Sequence, residues 1–209
     1  MSVRYAVLLI PHPSCTARAY RARQIICGQY GSWAAEMLMV HIMLSEFFPL
    51  EDSNVDALAA SLAGIASESR GKAPGFALSH QGVAIHPDTA GTLFLDFTPR
   101  DLESPLQVLQ GRIRGLVDDF ADSTEVLPQT GCEFRIFLPL MQYAGLSPNL
   151  FSDALEFATT VVDDLEVPGT TTAWRLLLAR FQSQAAGENW VQGGWVNDVS
   201  WDLVASYPL

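Results

Sequence analysis

His41-Ile42-Met43-Leu44 and Arg135-Ile136-Phe137-Leu138 are two strand-like tetrapeptides, each followed 12 residues later by the start of a helix, at Ser53 and Ser147. The two phrases are 94 residues apart (41 to 135, and 53 to 147), and both helices carry an Asp-Ala-Leu triplet, at Asp56-Ala57-Leu58 and Asp153-Ala154-Leu155. The triplets are 97 apart (56 to 153), so the register slips by three within the helix. This pattern predicts an internal duplication of a strand-helix unit. The residues at the two equivalent positions, His41 and Arg135, then decide what chemistry the fold can do.

Around the first phrase, Met37 to Phe48 reads as a long strand. Side chains alternate across a sheet, so Leu38, Val40, Ile42 and Leu44 form an aliphatic core face. Met37, Met39, His41, Met43 and Ser45 form the other. Ser53 is placed as the cap of the next helix, with Asp56 favoured by its positive N-terminus, and Val55, Leu58, Ala59, Leu62, Ile65 and Ala66 as its apolar stripe. Around the second phrase, Cys132 to Tyr143 reads as a strand, and Ser147-Pro148 opens a helix with Phe151, Ala154, Leu155, Ala158, Val161, Val162 and Leu165 on one face.

The remaining elements follow from the same rules. Arg4 to Ile10 is a buried strand stopped by Pro11 and Pro13. Thr16 to Gln29 is a helix punctuated by Gly28 and Gly31. Phe76 to Ile85 and Thr92 to Thr98 are strands joined by a turn at His86-Pro87-Asp88. Ser104-Pro105 opens a helix, and Thr171 to Phe181 and Val199 to Tyr207 close the chain as strands. The order β-α-β-α-β-β-α-β-α-β-β implies an α+β fold: two pseudo-symmetric lobes of antiparallel sheet with outer helices around a central cleft. The 209 residues are expected to form a single bilobal domain, with repeat units near 33–100 and 127–209.

Composition narrows the function. A hydrophobic content of 49% against 17% charged residues describes an ordered globular chain. A net charge of −11 with one lysine, Lys72, argues against binding long nucleic acid, which depends on neutralising many phosphates. Local arginines (Arg18, Arg21 and Arg23; Arg112 and Arg114) still allow a small phosphorylated ligand. No apolar run approaches the length of a spanning helix, so no membrane association is expected. Three cysteines without paired spacing fit a reducing cytoplasm. His12 and Cys15, like His80 and His86, lack a second ligand pair, so neither a metal nor a cofactor is expected.

Read whole, the chain resembles the 2H phosphoesterase superfamily, the 2′-5′ RNA ligase-like and cyclic phosphodiesterase proteins. The resemblance covers nearly the full length: RYAVLLI, both motif strands, the hairpin GFALSHQGVAIHP…GTLFLDF, and the closing pair TTAWRLLLARFQS and SWDLVASYPL. It implies two strands bearing His-x-Thr/Ser-x that face one cleft. One histidine removes a proton from the attacking oxygen, the other protonates the leaving oxygen, and the two hydroxyls hold the phosphate. Here His41 matches. Met43 replaces the first hydroxyl, Arg135 the second histidine and Phe137 the second hydroxyl. Arginine stays protonated at neutral pH, so Arg135 is a candidate anion clamp and not a proton shuttle.

The site residues have alternative roles. His41 is a proton-transfer group or a core histidine bonded to a backbone carbonyl. Arg135 clamps an anion or is consumed by an ion pair with Glu133. Three functions fit: a degenerate protein that binds a small phosphorylated molecule or a protein partner in its cleft; an active 2′,3′-cyclic or 2′-5′ phosphodiesterase using His41, Arg135 and a further group such as Tyr143, Tyr20 or His12; or an oligomerising scaffold, its oligomeric state unknown. For the last, Trp174 and Trp201 are expected in the core, while Trp190 and Trp195, in or beside the Gly-rich loop 187–194, are the pair whose exposure would mark an interface.

Overall fold

The computed structural model describes residues 1–72, 75–86, 91–121, 135–190 and 192–209. Its first strand, β1 (Ser2–Pro11), is buried from Arg4 to Pro11, as its unbroken apolar run requires. Helix α1 (Pro13–Tyr30) begins three residues before the expected Thr16. Pro13 ends the strand but is also pre-set for the first helical position, and the His12 side chain accepts a hydrogen bond from the Ser14 amide at 3.3 Å. The helix ends on Gly31, whose φ of +63° is the left-handed conformation that favours glycine.

The long strand expected over Met37–Phe48 is not formed. Ala34–Met37 makes a 3-10 turn, and only β2 (Ile42–Met43) pairs with β1, through Leu8↔Met43 and Leu9↔Ile42. A single bridge from Tyr5 to Phe48 follows. Alternation holds in part: Val40, Ile42 and Leu44 are buried in the main core, but Leu38 is buried in the second cluster, and His41 and Ser45 of the opposite face are buried as well. Ser53 lies in a 3-10 turn, Asp52–Asn54, and bonds to Glu51 at 3.3 Å; it does not cap α2 (Val55–Lys72).

The strand expected over Phe76–Ile85 is divided into β3 (Ala77–Ser79) and β4 (Val83–Ile85), which enter different sheets. Gly82, with φ +101°, provides the break. Then come β5 (Leu93–Asp96), α3 (Pro105–Phe120), β6 (Phe137–Met141), α4 (Pro148–Asp164), β7 (Thr170–Ser183) and β8 (Ser200–Pro208). Ser104 caps α3 by accepting from the Gln107 amide at 3.2 Å. Pro87 and Asp88 of the expected turn, and Cys132 and Glu133 of the expected second strand, lie outside the described residues.

The strands form two antiparallel sheets. The first runs β2-β1-β7, and the far side of the long β7 is shared end to end by β3 and β8. The second runs β4-β5-β6. The two repeated phrases therefore occupy different sheets, and β2 packs against β6.

The first sheet is buried on both faces. Tyr5, Val7 and Leu9 face the main core with the helical stripes. Ala6, Leu8 and Ile10 face a second cluster with Leu177, Ala179 and Phe181, and that face is covered by the β7–β8 connection, including Trp190 and Trp195. This corrects the expected tryptophan roles. Trp190 and Trp195 are 0% and 1% exposed, whereas Trp174 is 43% exposed. Gly193 and Gly194, before Trp195, serve close packing: a Cβ on Gly193 would lie 2.4 Å from the Tyr143 ring, and one on Gly194 3.0 Å from Asn189 O.

Candidate functional site

Ile42 points into the main core, so the alternation that buries it turns its neighbour Met43 to the opposite face of the sheet, against the second cluster. His41 is 1% exposed. Its Nδ1 lies 2.6 Å from the Met39 carbonyl oxygen and its Nε2 lies 3.1 Å from Met43 Sδ. Burial, reinforced by the positive charge of Arg23, pushes its pKa down to about 4, against the opposing effect of the Met39 hydrogen bond. At neutral pH the ring is uncharged, with its proton on Nδ1, because a carbonyl at 2.6 Å requires a donor.

Arg23 is the functional-site neighbour that the motif reading missed. It is fully buried on the α1 stripe of Cys15, Ala19, Ala22, Arg23, Ile26 and Cys27. The signal was available in that spacing, which places Arg23 on the apolar side. Its Nη1 donates to Ala35 O (2.8 Å) and Leu38 O (2.9 Å), and its Nε and Nη2 donate to Pro139 O (3.1 and 2.9 Å). One guanidinium thus ties α1, the turn before β2, and β6 together. Burial lowers its pKa to about 10, which still leaves it charged at neutral pH. The other two arginines of α1 face outward: Arg21 is exposed, and Arg18 pairs with Glu166 at 3.6 Å.

On the second sheet, Arg135 Nη1 lies 3.5 Å from Asp96 Oδ2, with the Arg135 side chain 41% exposed. Asp96 is largely covered while the Arg135 side chain stays partly open to solvent, so the pair is solvent-screened on one side and contributes little to stability. Phe137 packs on Phe94 and His86, with ring centroids 5.1 and 5.3 Å apart. The structure therefore joins His41 to Met43 and gives Arg135 and Phe137 separate neighbours. Of the groups considered for a second proton transfer, His12 caps α1, and the Tyr20 hydroxyl accepts from Gln24 at 3.1 Å on the exposed side of α1. Tyr143 packs edge-on to Trp195 at 5.5 Å, in the cluster that also holds Met43. Two surface hollows, of about 300 Å³ beside Ser79, Thr98 and Arg100 and about 260 Å³ between α2 and α3, are not lined by His41, Met43, Arg135 or Phe137.

The buried neutral ring makes stability depend on pH. The folded pKa of about 4 lies below the unfolded value of about 6.5. Above pH 6.5 the ring is neutral in both states. Between about 6.5 and 4 only the unfolded chain takes up the proton, so stability falls with pH and levels off below 4. The loss from this residue amounts to about 3 kcal/mol in total. Urea unfolding of the wild type and of His41→Gln at pH 7 and pH 4.5 is expected to show a smaller acid-induced loss in the variant. Equal losses would show that the ring protonates freely in the folded protein.

No protein-family model matches the sequence, and no curated protein matches it. Solved structures do. The crystal structure of TT0787 from Thermus thermophilus aligns with a TM-score of 0.56 at 14% identity, covering 99% of this chain and 97% of that one. Escherichia coli LigT complexed with 3′-AMP aligns with a TM-score of 0.55 at 14% identity, over 99% and 97% of the two chains. A crystal structure of a phosphoesterase gives 0.54 and 14% over 100% and 99%. The order of elements, the two antiparallel sheets and this full-length overlap agree: the chain has the α+β fold of LigT and these other solved structures.

Proposed function

We propose that this chain has kept the 2H phosphoesterase fold without its phosphodiesterase turnover, and that it uses the cleft face to bind a small ligand or a protein partner. The observation that carries the reading is the state of His41, which is buried, neutral, and turned with its free nitrogen toward a thioether. A general base must reach the proton it removes, and a ring 1% exposed reaches no substrate hydroxyl. Arg135 cannot exchange a proton at neutral pH, and Met43 and Phe137 offer phosphate oxygens no hydrogen bond. Loss of one proton-transfer group alone costs about 10²–10⁴-fold in rate; here both phosphate hydroxyls are replaced as well.

Purified protein is expected to leave 2′,3′-cyclic nucleotides and 2′-5′ dinucleotides intact, with the same background in His41→Ala. Hydrolysis by the wild type that disappears in His41→Ala would overturn the reading. Because LigT has been crystallised with 3′-AMP, that nucleotide is the first compound for a thermal-shift screen. A rise in melting temperature that is lost in Arg135→Ala would identify a phosphorylated ligand. Absence of any shift would direct the search to a protein partner.

A further inference from the structure

We propose that His41 and Met43 form a binding site for a soft monovalent cation, copper(I), with the thioethers of Met37 and Met39 as candidates for a third ligand. The proposal stands apart from the loss of phosphodiesterase activity and is tested separately from it.

The pair is two Lewis bases in contact with no proton between them. Met39 O at 2.6 Å holds the imidazole proton on Nδ1, so the lone pair of Nε2 faces Met43 Sδ at 3.1 Å. The opposite tautomer would set a bare Nδ1 against a carbonyl oxygen at 2.6 Å, which is repulsive. A neutral, 99% buried histidine nitrogen is therefore aimed at a sulfur that donates nothing. A cation placed between them would satisfy both. A backbone carbonyl holding the non-ligating nitrogen is also the arrangement that orients metal-binding histidines.

The ligand chemistry selects the metal. Met37, Met39, His41 and Met43 alternate in sequence, and all three methionines pack against the same apolar cluster. An imidazole beside thioethers that pack on an apolar cluster favours a soft ion. Among the described residues no group of three or more His, Cys, Asp or Glu side chains gathers to hold a metal, so the hard carboxylates that suit magnesium or calcium are not supplied. The Arg23 charge opposes any cation and opposes a divalent one twice as strongly, which further favours a single positive charge. Metals bind imidazole nitrogen at about 2.0 Å and sulfur at about 2.3 Å. At those lengths a 3.1 Å pair subtends about 90° at the metal. The unbranched Met43 side chain can open that angle by rotation. Met43 is partly exposed, which provides an entry path.

The test uses silver(I), a redox-inert stand-in for copper(I), titrated into protein labelled with ¹³C at methionine methyls and ¹⁵N at histidine. One equivalent is expected to move the Met43 methyl and His41 Nε2 resonances, while zinc(II) leaves them in place. Competition against a copper(I) chelator under anaerobic, reducing conditions is expected to show affinity falling about tenfold or more in Met43→Leu and in His41→Gln. Two results would overturn the site: silver that leaves the Met43 and His41 signals unmoved, and copper(I) affinity that is unchanged in both variants and so belongs to the cysteines. The resonance readout is taken on wild-type protein, so it does not depend on how well either variant folds.

Discussion

Arg23→Ala is expected to lower the unfolding free energy by about 3–5 kcal/mol, the larger part of the margin of many domains. The guanidinium is fully buried and donates four hydrogen bonds to the carbonyls of Ala35, Leu38 and Pro139. Alanine leaves those three acceptors inside and creates a void. A buried polar group deprived of its partner costs about 1–3 kcal/mol, and the cavity adds to it. Arg23→Lys keeps the charge, but its compact ammonium cannot reproduce a planar fork that reaches the turn at Ala35–Leu38 and β6 together, so it is expected to recover only part of the loss. Arg23→Met separates the hydrogen bonds from the packing, because it fills most of the volume and donates nothing. Urea denaturation of the three variants measures the series. Wild-type stability in Arg23→Met would show that the four bonds make no net contribution. The same variant gives a second readout: without the neighbouring positive charge, the His41 pKa is expected to rise from about 4 yet remain below its ordinary value, because burial is the larger cause of its depression.

Trp190→Ala is expected to cost a similar amount, about 3–5 kcal/mol, the range for deleting a buried large aromatic. Trp190 is 0% exposed and lies 5.2 Å from the Phe47 ring, with the Arg4 guanidinium 5.9 Å above its own. Its indole N–H donates to Ala185 O at 3.0 Å and Ser2 Oγ at 2.8 Å, fastening the β7–β8 connection to the start of β1. Trp190→Phe retains much of the contact area and loses the N–H, so about 1–2 kcal/mol is expected there. Fluorescence of the remaining tryptophans reports whether Trp195, which donates to Trp190 O at 3.1 Å, becomes solvated. A cost below about 1 kcal/mol for Trp190→Ala would mean that this connection does not cover the sheet in solution.

Much of the architecture was legible because its causes are local. The buried run of β1, the Ser104-Pro105 start of α3, the stripes of α2 and α4 and the long β7 each depend on side-chain period and on caps within a few residues. Val40, Ile42 and Leu44 are in the main core, as their period implies, even though most of that segment is not strand, whereas Leu38, next to the 3-10 turn, joins the second cluster. From Val40 to Leu44 the chain keeps its alternation although few ladder hydrogen bonds support it. The expected ladder failed because β1 offers β2 only two pairs, and the Arg23 guanidinium draws the carbonyls of Ala35 and Leu38 toward α1.

The tryptophans show where local reading ends. Trp174 lies on a long strand and was expected in the core, yet its end of β7 leaves it 43% exposed; Trp190 and Trp195 lie among glycines and are almost wholly buried. Exposure depends on what covers a residue, and the cover for Trp190 comes from Ser2 and Phe47, at the other end of the chain.

The amino-acid sequence alone determined the α+β class, the four described helices and the long strands β1, β7 and β8, because each is a matter of residue identity and short-range period. Only the tertiary structure decided what the candidate site residues experience. His41 is neutral because burial takes water from its ring and the Arg23 charge repels a proton. Arg135 lies beside Asp96 because the β5–β6 register sets Asp96 opposite Phe137, two residues after Arg135. Solvation, charge proximity and burial are properties of pairs distant in the chain, and they arise only when the chain is folded.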